Sequence, residues 1–132
     1  MSPIQINDLF LARYVKGGRG PQAYDCFGLY AEVCRRRGMA IPTPTTPVGD
    51  AERATAIALS IAAGDWVALD APQPWCAVAL RLGAFVAHIG IVLADGETFL
   101  HMDDATGVSR ERLDSLRWSR RIAGFYRHRS EA

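Results

Sequence analysis

At Gly64 the pattern of apolar residues changes, and this switch constrains the fold more than any other feature of the chain. Before it, apolar side chains recur at helical intervals. After it come GDWVALD, PWCAVALRL, VAHIGIVL, ETFLHM and IAGFYRH, short β-rich runs separated by turn signals such as Asp95-Gly96. Helices first and strands afterwards predict an α+β fold, with N-terminal helices packed on an antiparallel β-sheet. With 132 residues, 49% of them hydrophobic, the chain fits one domain with a buried core, spanning 1–132. No internal repeat or low-complexity tail interrupts it.

Three N-terminal segments carry the helical pattern. Residues 5–15 predict a first helix, capped by Asn7 or Asp8. KGGRGP follows as a loop, and it is no phosphate loop because no Gly-Lys-Ser/Thr is present. Asp25 to Gly38 predicts a second helix, capped by Asp25 and closed by Gly38. Leu29, Val33 and Cys34 form its apolar stripe, and Arg35 to Arg37 sit where the helix dipole favours cations. IPTPTTPVG reads as a connector and residues 50–62 as a third helix. A short helix is expected near Ser109 to Leu116.

Composition excludes several classes of function. The formal net charge of +1 gives no global field for a polyanion. Without aromatic-basic interleaving or a binding motif, no nucleic-acid partner is expected. Arginine outnumbers lysine fourteen to one, and seven arginines fall between Arg110 and Arg129. They form either a basic face or an ordinary solvated one. The start MSPIQINDLF lacks the basic-then-apolar pattern of a secretory signal. No stretch approaches the roughly 18 apolar residues of a membrane span. Three cysteines without a CxxC pair argue against a disulfide framework.

Cys26 stands at a predicted helix start, where exposed amides and the dipole lower a thiol pKa and can receive an oxyanion. A small buried hydrophobe is the bland alternative. HIGIVLADGETFLH reads as strand, turn, strand. A two-residue loop at Asp95-Gly96 pairs Ala94 with Glu97 and sets His101 opposite Gly90. His88 and Gly90 share a face, so His88 and His101 become diagonal neighbours, with Gly90 leaving space between them. A thiol, an imidazole and a second polar ring can act as nucleophile, base and orienter. A Cys/His/His zinc site is the rival reading. The gap from Cys26 to His88 matches neither a zinc finger nor an HExxH pattern, so no metal and no cofactor is expected.

Three blocks stand out, Asp25-Cys26-Phe27-Gly28-Leu29, His88-Ile89-Gly90-Ile91 and Phe99-Leu100-His101, with Gly64-Asp65 at the first strand. Together they resemble the NlpC/P60 family of papain-like cell-wall peptidases. The likeness runs from about Tyr14 to Arg127. It implies a cysteine peptidase or amidase that cleaves a peptide amide in peptidoglycan stem peptides through a thioester. In that scheme Cys26 is the nucleophile, His88 the general base and later acid, and His101 its orienter. Tyr24 is either a substrate or oxyanion contact or a residue that packs at the helix entry. Phe27 occupies the position where many members carry a serine thought to hold the free amino end of the stem peptide, and it is the second candidate substrate contact.

The chain looks most similar to the phage-tail branch. The marks are the glycine-rich loop before the nucleophile, Phe27, the Arg-Arg-Arg-Gly-Met-Ala-Ile-Pro stretch at 35–42, and Gly124 to Arg127. This implies a tail-tip component made in the host cytoplasm, carried on the virion and acting in the periplasm or cell wall. Its partners would be peptidoglycan and tail hub or tail-tip proteins. Two other readings are a structural tail-tip or assembly subunit with little activity, and a delivered effector amidase. The apolar run PWCAVALRLGAF, with Trp75 and Phe85, is either an extra hairpin that docks on a partner or a pair of core strands.

Overall fold

A computed structural model of the chain describes residues 4–42 and 49–131. Most of the proline-rich connector therefore lies outside the described residues. The chain opens with a short 3-10 helix, Asn7–Leu11, then β1 (Arg13–Tyr14) and β2 (Ala23–Tyr24). Next come α1 (Cys26–Arg36), α2 (Asp50–Ala62), β3 (Trp66–Leu69), β4 (Ala77–Leu82), β5 (Phe85–Val92), β6 (Thr98–Asp103), β7 (Gly107–Arg112) and β8 (Ile122–His128). The architecture is α+β, as the switch at Gly64 predicts.

The α1 helix forms for local reasons. Asp25 is extended, and its carboxylate accepts from the Gly28 amide at 2.7 Å, satisfying one of the free donors of the first turn. At the other end Gly38 takes φ +82, which lets the Met39 amide donate back to the Cys34 carbonyl. Leu29, Val33 and Cys34 are at most 1% exposed, so the expected stripe is the core face. Glu32 holds both Arg35 and Arg36, and Arg36 also reaches Asp8.

Six strands form one antiparallel sheet in the order β3-β8-β4-β5-β6-β7. Side-chain alternation splits the core between its faces. Ala77, Ile89, Ile91, Leu100 and Met102 pack with α1 and α2. Cys76, Val78, Leu80, Val92 and Phe99 pack beneath Trp118 on the other face. All three cysteines are buried and free.

Four expectations need correction. Residues 5–15 do not make an α-helix. Only one 3-10 turn forms, capped by Ile6 without a side-chain bond. Of its apolar residues Leu9 is buried, while Leu11 is 88% exposed, so the helical spacing is not used. Arg13 and Tyr14 instead pair in parallel with Ala23 and Tyr24, closing the glycine-rich loop. Second, Ser109 to Leu116 is no helix, because its first part belongs to β7. Ser109 and Glu111 are half-buried while Arg110 and Arg112 are exposed, the alternation of an edge strand on β6. Third, of the two readings of PWCAVALRLGAF the core strands hold and the separate docking hairpin does not. The run supplies β4, flanked by β8 and β5, and Cys76 to Leu80 are buried. Trp75 is half-buried, packs on the core and carries the Arg37 guanidinium 5.3 Å from its ring. Fourth, the β5–β6 loop is not two residues long. It spans Ala94 to Glu97, closed by the Leu93 amide donating to the Thr98 carbonyl and capped by Asp95. Four is also even, so the register survives: Gly90 stands opposite His101.

Candidate active site

The β5–β6 ladder ends at the Gly90–His101 pair, and the strands part beyond it. His88 lies past that end, held to Leu80 of β4 on its other side. By alternation His88 and His101 share the face of Phe99 and Trp118. Cys26 enters from the helical face at the N-terminus of α1. The three line one cleft of about 840 Å³, Cys26 5%, His88 7% and His101 2% exposed.

His88 Nε2 and His101 Nδ1 lie 2.9 Å apart, a hydrogen bond between imidazoles set at 84°. Gly90 does not simply leave space between them. A methyl there would stand 2.9 Å from the Leu100 carbonyl and 3.0 Å from Phe99, so its smallness lets β6 close onto β5. His101 is held by Phe99, 5.3 Å away between ring centres, and Trp118, 4.6 Å away. Its Nε2 is buried without a hydrogen-bond partner among the described residues. Trp118 in turn donates its indole N–H to Glu111 at 3.1 Å.

Electrostatics correct one expectation. Burial raises the Cys26 thiol to about 11, with Asp25 adding to the rise, and outweighs the Ile89 backbone hydrogen bond and the Arg53 charge that favour thiolate. Burial also lowers His88 to about 3, helped by His101 and Arg53. His101 is lowered too, again by burial first. The helix start therefore does not produce a resting thiolate. The site rests as neutral thiol and neutral imidazole, since the third group is another imidazole rather than a carboxylate and Arg53 opposes an imidazolium.

The cleft excludes two sequence candidates. Tyr24 is 4% exposed, and its ring packs over Gly20 in a separate depression lined by Asp8, Arg19 and Arg36. Phe27 is 3% exposed and points among Tyr30, Ile57 and Ile89 between the helices and the sheet. One residue further along α1 than Cys26, it is turned about 100° around the axis, into the core. Asp25 is an N-cap that also pairs with Arg19 at 2.7 Å.

In their place the cleft holds residues that sequence reasoning missed. Tyr14 reaches it because β1 brings it beside the start of α1. Arg53 of α2 donates to the Ala87 carbonyl at 3.2 Å, pairs with Asp50, and so fixes a cation next to the dyad. Arg81, Arg117, Arg120 and Arg121 line the remaining wall with Trp118. The sequence signal for Arg117, Arg120 and Arg121 was the C-terminal run of arginines. Among the described residues no group of three or more Cys, His, Asp or Glu could hold a metal ion. None of their helices is long and apolar enough to cross a membrane.

Comparison with known proteins agrees with this architecture. Probable endopeptidase p60 of Listeria seeligeri is 26% identical over 121 residues, covering 86% of this chain and 19% of its own length. The Listeria welshimeri protein of the same name is 26% identical over 114 residues, with the same coverage. The chain thus spans about a fifth of these relatives. NlpC1 from Trichomonas vaginalis superposes with a TM-score of 0.64 at 17% identity, over 92% of this chain and 42% of that one. The NlpC/p60 domain of the peptidoglycan hydrolase SagA gives 0.55 at 19% identity, over 88% and 86%. These structures share the fold. The NlpC/P60 family model matches residues 12–127, nearly the whole chain, and the chain belongs to that family.

Proposed function

We propose that the chain is a cysteine amide hydrolase acting on peptidoglycan stem peptides, with residues 1–132 working as one catalytic unit. The observation that carries this is the His88–His101 hydrogen bond in the cleft that also holds Cys26. If His88 Nε2–H donates, His101 Nδ1 accepts, and the free Nδ1 lone pair of His88 is left to serve the thiol. His101 then keeps its own proton on Nε2, beside Trp118.

The cycle follows from a neutral pair. The Cys26 sulfur attacks the amide carbon as its proton passes to His88. The oxyanion forms beside the free amides at the start of α1. The tetrahedral adduct collapses, the amine leaves with the proton returned by His88, and a thioester remains. Water gives a proton to His88, attacks the thioester and releases the carboxylate, and the thiol is restored.

Mass spectrometry of muropeptides after incubation with purified protein tests the reading. Wild type should yield shorter peptides with one new amine and one new carboxylate, and Cys26→Ala and His88→Ala should yield none. Intact muropeptides with wild type refute it. We further propose that the protein is a tail-tip component acting in the periplasm or cell wall. The phage-tail resemblance at 35–42 and 124–127 supports this, and antibody labelling of particles checks it.

A further inference from the structure

The seven arginines between Arg110 and Arg129 divide into two groups. Arg110 pairs with Asp95, Arg112 with Asp114, Arg127 with Glu131 and Arg129 with Asp65. Arg117, Arg120 and Arg121 pair with no carboxylate among the described residues. All three of these, and none of the other four, line the cleft that holds Cys26 and His88.

Their setting is built rather than incidental. The guanidinium carbons of Arg117 and Arg121 stand 5.1 and 5.2 Å from the centre of the Trp118 ring, which is itself 3% exposed and fixed by Glu111. A flat, anchored indole thus holds two guanidiniums at the cleft wall, so less side-chain freedom is lost when they engage a ligand. The other cleft charges leave these cations available. Arg53 is engaged by Asp50 and the Ala87 carbonyl, and Arg81 donates to the Ile122 carbonyl. Asp103 lies near enough to Arg117 to feel its charge, but its carboxylate already accepts from the amides of Ala105 and Thr106. Asp104 is the remaining acid in the lining, against three guanidiniums.

We propose that Arg117, Arg120 and Arg121 form a subsite for a carboxylate of the substrate peptide flanking the scissile bond, so that the enzyme selects free-acid peptides over their amidated counterparts. This rests on the hydrolase reading and names the chemistry its cleft prefers. Guanidinium forks match a planar carboxylate with two parallel hydrogen bonds, whereas a carboxamide offers one acceptor and no charge. A carboxylate seated there also lies against Trp118, whose other contacts hold His101, so binding would set the flanking peptide beside the dyad.

The test uses two synthetic stem peptides that differ only in carboxylate or carboxamide beside the target bond, titrated calorimetrically into Cys26→Ala protein. The acid peptide should bind at least tenfold more tightly, with an advantage that shrinks as salt rises. Arg117→Gln/Arg120→Gln/Arg121→Gln in the same background should bring the ratio near one. Arg120→Gln alone touches none of the contacts that hold Trp118, and should lower the ratio several-fold in a folded protein. Equal binding of the two peptides, or binding of neither, overturns the subsite, as does a preference that survives the triple substitution. Cleavage by protein with Cys26 intact separates the two ideas. Cleavage of both peptides with no binding preference keeps the hydrolase and removes the subsite. Preference without cleavage keeps the subsite and removes the hydrolase.

Discussion

A buried, neutral Cys26 beside a neutral His88 predicts an unusual alkylation profile for the thiol. Cys26 moves from 9.0 to about 11 because burial penalises the thiolate, and His88 falls from 6.5 to about 3. The sign follows directly. A thiol with a raised pKa stays protonated until the pH nears the raised value, and an imidazole with a lowered pKa stays neutral down to the lowered value. Across the neutral range neither group is charged. Two pKa units correspond to about 3 kcal/mol, and at pH 7 about one thiol in ten thousand is ionised. Iodoacetamide labelling of Cys26 should therefore climb about tenfold per pH unit from 6 to 10, with no plateau. Peptide mapping by mass spectrometry at short reaction times reads this for each cysteine separately. Cys26 should still label before Cys34 and Cys76, because it lines the cleft and the other two are fully buried. Its lead comes from access rather than acidity.

The same logic separates His88 as a base from His88 as a counter-ion. In a neutral pair, His88→Ala removes no charge that stabilises thiolate, so alkylation at pH 7 should change by less than about tenfold. Hydrolysis should fall by roughly a hundredfold to ten-thousandfold, the usual worth of a positioned base. A flat labelling rate between pH 5 and 8, lost in His88→Ala, would mean a preformed thiolate–imidazolium pair. The burial argument would then be wrong.

Other perturbations read the surrounding supports. Asp25→Ala removes the 2.7 Å bond to the Gly28 amide and the Arg19 pair, and should lower stability by about 1–2 kcal/mol in urea titration. Gly28→Ala would drive a methyl into the Gly18 carbonyl, so thermal melting should show a larger loss than Asp25→Ala. His101→Ala leaves His88 Nε2 buried without an acceptor, for about 1–3 kcal/mol and a loss of turnover; His101→Asn supplies an acceptor and should recover part of both. Melting temperature should fall as pH drops from 6.5 toward about 3, where the unfolded chain protonates His88 first. It should fall again as pH rises from 9.0 toward about 11, where the unfolded chain ionises Cys26 first.

What the sequence made legible was local. Asp25 and Gly38 bracket α1 through capping that needs only neighbouring residues. The side-by-side histidines follow from strand parity, and the four-residue loop kept that parity although its length was misread. Distant pairings were not legible. Nothing in DAERATAIALSIA shows that Arg53 will bond the Ala87 carbonyl beside His88. The same holds for Trp118, whose indole reaches His101 only after β7 and β8 are placed on opposite sides of the sheet's middle strands. Tyr24 and Phe27 lie outside the cleft because adjacency to Cys26 in sequence is not adjacency in space, and of the two readings of Tyr24, packing at the helix entry fits its burial. Tyr14 carried a usable signal, since a glycine-rich loop closed by a strand pair must bring its two stems together.

The splayed end of β5 and β6 explains why such a site can be both buried and reactive. A continuous ladder would seal the Ile89 amide within the sheet, and the strand would screen Cys26 from the histidine face. Ending the pairing at Gly90 and His101 lets the helix start approach Ile89 from one side while the imidazoles stay on the other. The imidazoles need rigid walls there, since an unpaired polar ring in a soft pocket would turn toward water. Phe99 and Trp118 supply those walls, and Glu111 fixes Trp118. Desolvation that keeps the resting pair neutral also strengthens its interaction with charge that develops during attack. Burial disfavours charge on either group, so in the proposed cycle the thiol proton must pass to His88 as the sulfur attacks rather than before it.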